Sequence, residues 1–88
     1  MVYIIAHDLR TPGQNYSLLH EAIRGLGSYC HPETSVWFVD SKCTSHQILD
    51  RLLPFIVDCC DLLFIGSLAG EFDTWLNEGD NAWLKQHL

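Results

Sequence analysis

An 88-residue chain that is 48% apolar makes one small domain, with more apolar area than so small a body hides easily, and this points towards association. Its net charge of −6, with five scattered cations (Arg10, Arg24, Lys42, Arg51 and Lys85), leaves no basic stripe to displace counterions from phosphates and argues against tight, non-specific DNA or RNA binding. No apolar run has the length of a membrane span, and Asp8 and Arg10 interrupt the N-terminal run too early for a signal peptide. The expectation is a soluble, cytoplasmic protein with no membrane partner, in which Cys30, Cys43, Cys59 and Cys60 are reduced thiols.

In chain order, residues 2–8 read as a strand and "LRTPGQ" (9–14) as a loop around a Pro-Gly turn. A helix follows, with Asn15 as N-cap, Tyr16, Leu19, Ile23 and Leu26 at helical spacing, and Gly27 as the closing residue. Two short strands, about 28–31 and 35–40, are joined by "HPET". Thr44 begins a second helix, completing a capping box with Gln47, and Pro54 ends or kinks it. After the turn "DCCD", residues 62–68 form a last strand. In the tail from about residue 70, "FDTWL" reads as an edge strand and Asn81 as the cap of a brief helix.

Strand, helix, strand, strand, helix, strand is the ferredoxin-like βαββαβ order: an α+β domain over residues 1–88, with an antiparallel sheet and two helices on one face. The four-residue 31–35 connection is too short for a parallel crossover. Val2, Ile4 and Ala6 alternate with Tyr3 and Ile5, and Val36 and Phe38 with Trp37 and Val39, so the strands are apolar on both sides. With the helices on one face, Trp37, Tyr3, Ile5 and Phe64 are expected on the other, covered by the tail or by a second copy in a homodimer. Trp75 and Trp83 read as covers for the core.

This topology gathers Asp8, His31, Glu33, Asp58 and Asp61 along one rim, with His7 and Arg10 nearby and with Cys43 and His46 at the opposite end. The Cys30-His31 and Cys43/His46 pairs are then too far apart for one zinc ion, and Cys59 and Cys60 read as buried or half-buried thiols; no zinc is expected. Asp8 has two readings. It starts a loop by accepting turn amides, or it ligates a metal, with two copies of Asp8 sharing one Mg²⁺ across a two-fold axis.

"YIIAHDL", ending on Asp8, and "TSVWFVD" at 34–40, with its Ser35-Val36-Trp37 signature, resemble the CRISPR-associated protein 2 family and its relative, virulence-associated protein D. "TPGQNYSLLHEAI", "ILDRLLPFI" and the closing "AWLKQHL" look closer still to small bacterial proteins labelled SinR-like. The resemblance implies a ferredoxin-like homodimer in which Asp8 of each copy holds Mg²⁺ for phosphodiester hydrolysis, of RNA more than DNA. Arg10 would stand near the phosphate and Ser35 would be a nearby strand residue. Some members are regarded as silent scaffolds, so the alternative is a non-catalytic dimer that binds another protein in a defence or toxin–antitoxin setting. The acidic charge of this chain departs from members that grip duplex DNA.

Overall fold

The computed structural model describes residues 1–57 and 59–88. Its elements are β1 (Val2–Asp8), α1 (Ser17–Arg24), β2 (Ser28–Glu33), β3 (Val36–Asp40), α2 (Ser45–Leu52), β4 (Leu62–Ser67) and α3 (Glu78–His87). One 3₁₀ turn, Leu53–Phe55, extends α2 at Pro54. The four strands make one antiparallel sheet in the order β2-β3-β1-β4, so the described residues form a small α+β fold with three α-helices.

Local chemistry accounts for most boundaries. The Thr44 hydroxyl accepts from the Gln47 amide while the Gln47 side chain accepts from the Thr44 amide, so the expected capping box starts α2. At α1 the cap position falls to Tyr16, which makes no side-chain cap, and Asn15 instead accepts from the Ser17 amide. α3 is longer than expected: Asn77, not Asn81, caps it by accepting from the Asp80 amide. "FDTWL" forms no strand, because Thr74 and Leu76 are bonded to Asn81 of α3 and not to a sheet edge.

The core lies between the sheet and α1 and α2. Tyr3, Ile5, Trp37 and Val39 point into it, opposite Leu19, Ile23, Leu26, Ile48 and Leu52. Trp37, Ile5, Leu19, Ile23, Ile48 and Leu52 are wholly buried, and each contributes about 1.5–3 kcal/mol by leaving water. The expected facing of the strands is therefore reversed for three residues: Tyr3, Ile5 and Trp37 form the core, and only Phe64 stands on the open face. In the β1–β3 and β1–β4 registers Ile5 lies opposite both Trp37 and Ile65, whereas Ile4 lies opposite Phe38 and Gly66, and Ala6 opposite Val36 and Phe64. The second set lines the face away from α1 and α2.

The chain's own α3 covers one side of that second face, along β2 and β3. The Cys30 thiol donates to Asp80 at 2.9 Å, the Trp83 indole donates to the Ser28 hydroxyl at 3.1 Å, and the His87 Nδ1 lies 2.8 Å from Asp40. Burial, then the Asp80 carboxylate, push the Cys30 thiol up to about 12. The β4 side stays uncovered, with Leu62 and Phe64 exposed. The ring of Phe64 lies across Gly66, where an added Cβ would meet it at 2.9 Å.

Gly27 marks where the turn from α1 into β2 passes closest to β3. A Cβ there would stand 2.0 Å from the Asp40 carbonyl oxygen, a backbone atom that cannot swing aside. Gly27→Ala is expected to cost about 2 kcal/mol or more, seen as a lowered urea midpoint with an unchanged slope; a shift within error would mean that the turn has room to relax.

Candidate functional site

The C-terminal end of β1 gathers most of the chemistry-bearing side chains. Asp8 closes the strand opposite Leu62, on the open face. Its carboxylate accepts twice from Arg10, at 2.8 Å from Nε and 2.7 Å from Nη2. Both side chains are more than half exposed, so the pair adds little to stability. Its consequence is chemical: both contacts fall on Oδ2, so one of the two oxygens a cation would use already faces a guanidinium.

Asp61 plays the loop-building part that could have fallen to Asp8. Only 6% exposed, it accepts from the Arg10 amide, the Thr11 hydroxyl, the Tyr16 hydroxyl and the Val57 amide, at 2.8–3.2 Å. The Thr11 amide in turn donates to the Tyr16 oxygen at 3.3 Å. One carboxylate thereby ties the 9–16 loop to the turn before β4 and holds Arg10 where its side chain reaches Asp8. Burial alone would raise the Asp61 pKa; the Val57 amide, the Tyr16 hydroxyl and the other donors outweigh it and hold it below the ordinary value. Asp61 was expected on this rim and is there, through Arg10. Asp58 lies outside the described residues.

Ser35 precedes β3, and its carbonyl accepts from the His7 amide at 2.9 Å, which places it at the Asp8 end of the sheet. Its hydroxyl is committed elsewhere, donating to Glu33 at 2.9 Å. The Thr34 and Ser35 hydroxyls lower the Glu33 pKa. Asp8 and Arg10 are thus brought together, whereas Ser35 shares their rim but bonds within its own turn.

Beneath this rim, on the helix face, three imidazoles surround the Trp37 indole. His31 stacks on it with centroids 3.5 Å apart and planes 11° from parallel. His20 of α1 lies 5.7 Å from it and 5.9 Å from His7, and the Arg24 guanidinium lies 5.7 Å from the indole centroid. The Trp37 N–H donates to His7 Nε2 at 3.1 Å, which requires that nitrogen to be unprotonated. The His20 Nε2 is buried without a partner. Burial, then the neighbouring His20 and His31, lower the His7 pKa; burial, then Arg24 and His31, lower that of His20. The sequence offered a signal for this cluster in His20, which shares a helical face with Ile23 and Arg24, but the α1–β2 pairing in space was needed to see it.

Among the described residues, no group of three or more His, Cys, Asp or Glu side chains is disposed to hold a metal ion. Within one chain the residues around Asp8 do not fit Mg²⁺, which takes about six oxygens: Asp8 offers one carboxylate, its Oδ2 already paired with Arg10, and Asp61 is consumed by its donors. Cys59 and Cys60, expected to be buried or half-buried, are both exposed, in the turn before β4. Among the described residues, no helix is long and apolar enough to cross a membrane. No family model matches the chain, and no curated protein does.

The clamp predicts an acid limb in stability. A carboxylate whose folded pKa is depressed stabilises above its unfolded value, about 3.9, and that contribution disappears as pH falls through the folded value. Asp61→Asn, which sets an NH₂ against donors, is expected to lower the melting temperature at pH 7 and to narrow the gap from wild type towards pH 3. A constant gap would mean that the ionised form does not matter. The imidazoles act at higher pH. His7 and His20 titrate lower folded than unfolded, so their contribution is present above about 6.5 and lost as pH falls. Urea midpoints should decline from pH 7 to pH 5, and less so in His20→Leu; equal slopes would exclude the cluster as the cause.

Proposed function

We propose that the chain is a ferredoxin-like homodimer of the CRISPR-associated protein 2 type that serves as a non-catalytic scaffold, binding another protein in a defence or toxin–antitoxin setting. The strand order β2-β3-β1-β4, antiparallel throughout and with α1 and α2 on one face, supports the fold part of this reading. The observation that carries the functional part is the state of Asp8. Its carboxylate is held by Arg10, while the sheet beside it presents exposed Leu62 and Phe64. A rim of this kind suits a contact surface better than a metal centre. The net charge of −6 also favours a protein partner over a nucleic acid.

A second reading keeps the enzyme: Mg²⁺-dependent phosphodiester hydrolysis, with RNA favoured over DNA. It is supported by the placement of Asp8 on the open face, in line with Leu62 and next to Ala6 and Phe64. Two copies docked through that face would bring two Asp8 carboxylates towards each other, and Arg10, freed from Asp8, would stand beside a phosphate. Ser35 has no part in this version beyond supporting Glu33 and the His7 amide.

Cleavage of a labelled single-stranded RNA separates the two, using purified protein with Mg²⁺, Mn²⁺ or EDTA beside Asp8→Ala. The scaffold reading expects no cleavage under any condition and an Asp8→Ala dimer as stable as wild type. Metal-dependent cleavage that disappears in a still-dimeric Asp8→Ala would replace it with the nuclease. Binding to the same RNA that weakens steeply with salt would point the same way.

A further inference from the structure

Two of the four thiols stand apart. Cys30 is buried and Cys43 half-buried, whereas Cys59 and Cys60 are exposed side by side in the turn before β4. The Cys60 thiol donates to the Cys59 sulfur, and that bond, first among the causes, raises the Cys60 pKa. One sulfur is thus presented as acceptor and nucleophile, while its neighbour carries a proton beside it.

The peptide that joins them is part of the Asp61 clamp. It is trans, and its N–H, that of Cys60, donates to the Val57 carbonyl at 3.1 Å. The Asp61 amide donates to the same carbonyl at 3.0 Å, and the Val57 amide returns a bond to the Asp61 carboxylate at 2.8 Å. That carboxylate also accepts from the Arg10 amide at 2.9 Å, in the loop whose guanidinium meets Asp8.

Two α-carbons joined by a trans peptide stand about 3.8 Å apart. A relaxed disulfide takes roughly 4.4–6.8 Å. An S–S bond between Cys59 and Cys60 therefore forms only if their peptide leaves its present orientation, and the bond to Val57 goes with it. Strained, exposed disulfides are the labile ones. Such a bond closes when the surroundings turn oxidising and opens when they turn back.

We propose that Cys59 and Cys60 are a reversible dithiol–disulfide site, oxidised by a low-molecular-weight disulfide RSSR, and that closing it loosens the Asp61 clamp. The Cys59 sulfur gives up its proton and attacks one sulfur of RSSR; that S–S bond breaks and the first RSH leaves with the proton. The Cys60 sulfur then attacks Cys59, expels the second RSH, and the Cys59–Cys60 bond forms. The pair loses two electrons and two protons, and RSSR gains them as two RSH. Excess RSH runs the steps backwards. With Val57 and Asp61 unlocked, Arg10 is no longer held where its guanidinium meets Asp8. This control acts on the Asp8 rim whether the rim meets a protein partner or a metal.

The whole reduced chain is equilibrated with mixtures of oxidised and reduced glutathione, quenched in acid, alkylated under denaturing conditions and mapped by mass. The expected product is a monomer lighter by two hydrogens, with Cys59 and Cys60 unalkylated, Cys30 and Cys43 alkylated, and full reversal by excess reduced glutathione. In it the Arg10 and Val57 amides should exchange hydrogen at least about tenfold faster, as losing bonds to a carboxylate implies. Cys60→Ser, an exposed change whose fold circular dichroism checks, should stop at one glutathione on Cys59 with both amides still protected. A product held as glutathione adducts, a disulfide-linked dimer, or no closed pair at any ratio would overturn the site. A closed pair with unchanged exchange at Arg10 and Val57, or equally fast exchange in the Cys60→Ser adduct, would overturn its control of the clamp.

Discussion

The indole N–H of Trp37, wholly buried under α1, needs an acceptor, and His7 Nε2 on the adjacent strand supplies it at 3.1 Å. A buried donor left unpaired would cost about 1–3 kcal/mol, so this bond constrains β3 and β1 together. Once Trp37 faces the helices, the period of two sends Tyr3, Ile5 and Val39 with it and turns Ile4, Ala6, Phe38 and Phe64 the other way. The phase of the sheet, the composition of its second face and the company that Asp8 keeps all follow from that choice.

That phase was the part of the fold least legible in the sequence. The order of strands and helices could be read from periodicity and turn residues, and the Thr44–Gln47 box was visible as a spacing. Facing could not, because Val2, Ile4 and Ala6 are as apolar as Tyr3 and Ile5, and an alternation of apolar with apolar carries no sign. What breaks the tie is polar: Tyr3 reaches the Cys43 carbonyl with its hydroxyl at 2.7 Å, and Trp37 reaches His7. Both bonds join residues far apart in sequence, so no local pattern announces them. The tail is ambiguous in sequence for a similar reason. Asn77 and Asn81 are both plausible caps in isolation, and Asn81 is instead spent on Thr74 and Leu76.

The candidate site shows the same limit in two aspartates. Asp8 and Asp61 both stand next to β-strand ends in apolar surroundings, and from sequence either could start a loop or hold an ion. Asp61 has four groups donating to it and is buried; Asp8 has one guanidinium and is open to water. Hydrogen bonds to a carboxylate stabilise its charged form and at the same time use up its lone pairs. The better built of the two is therefore the less available for chemistry. Arg10 links them, its amide on Asp61 and its side chain on Asp8, so the loop that Asp61 organises also determines how Asp8 is screened.

The second sheet face is covered unevenly, and the chemistry of the cover explains where it stops. α3 is held over β2 and β3 by the bonds of Asp80, Trp83 and His87 to Cys30, Ser28 and Asp40, together with buried Leu84. Asp40 receives the N-terminal amine at 3.3 Å as well as His87, and the His87 bond first among these lowers its pKa. Such contacts hold a helix in one register, but they depend on polar partners in the sheet. Ser28, Cys30 and Asp40 provide them at the β2–β3 side. The β4 side offers Leu62, Phe64 and Gly66, with nothing for a polar helix face to bond. The uncovered remainder is apolar because polar partners are what the helix needed.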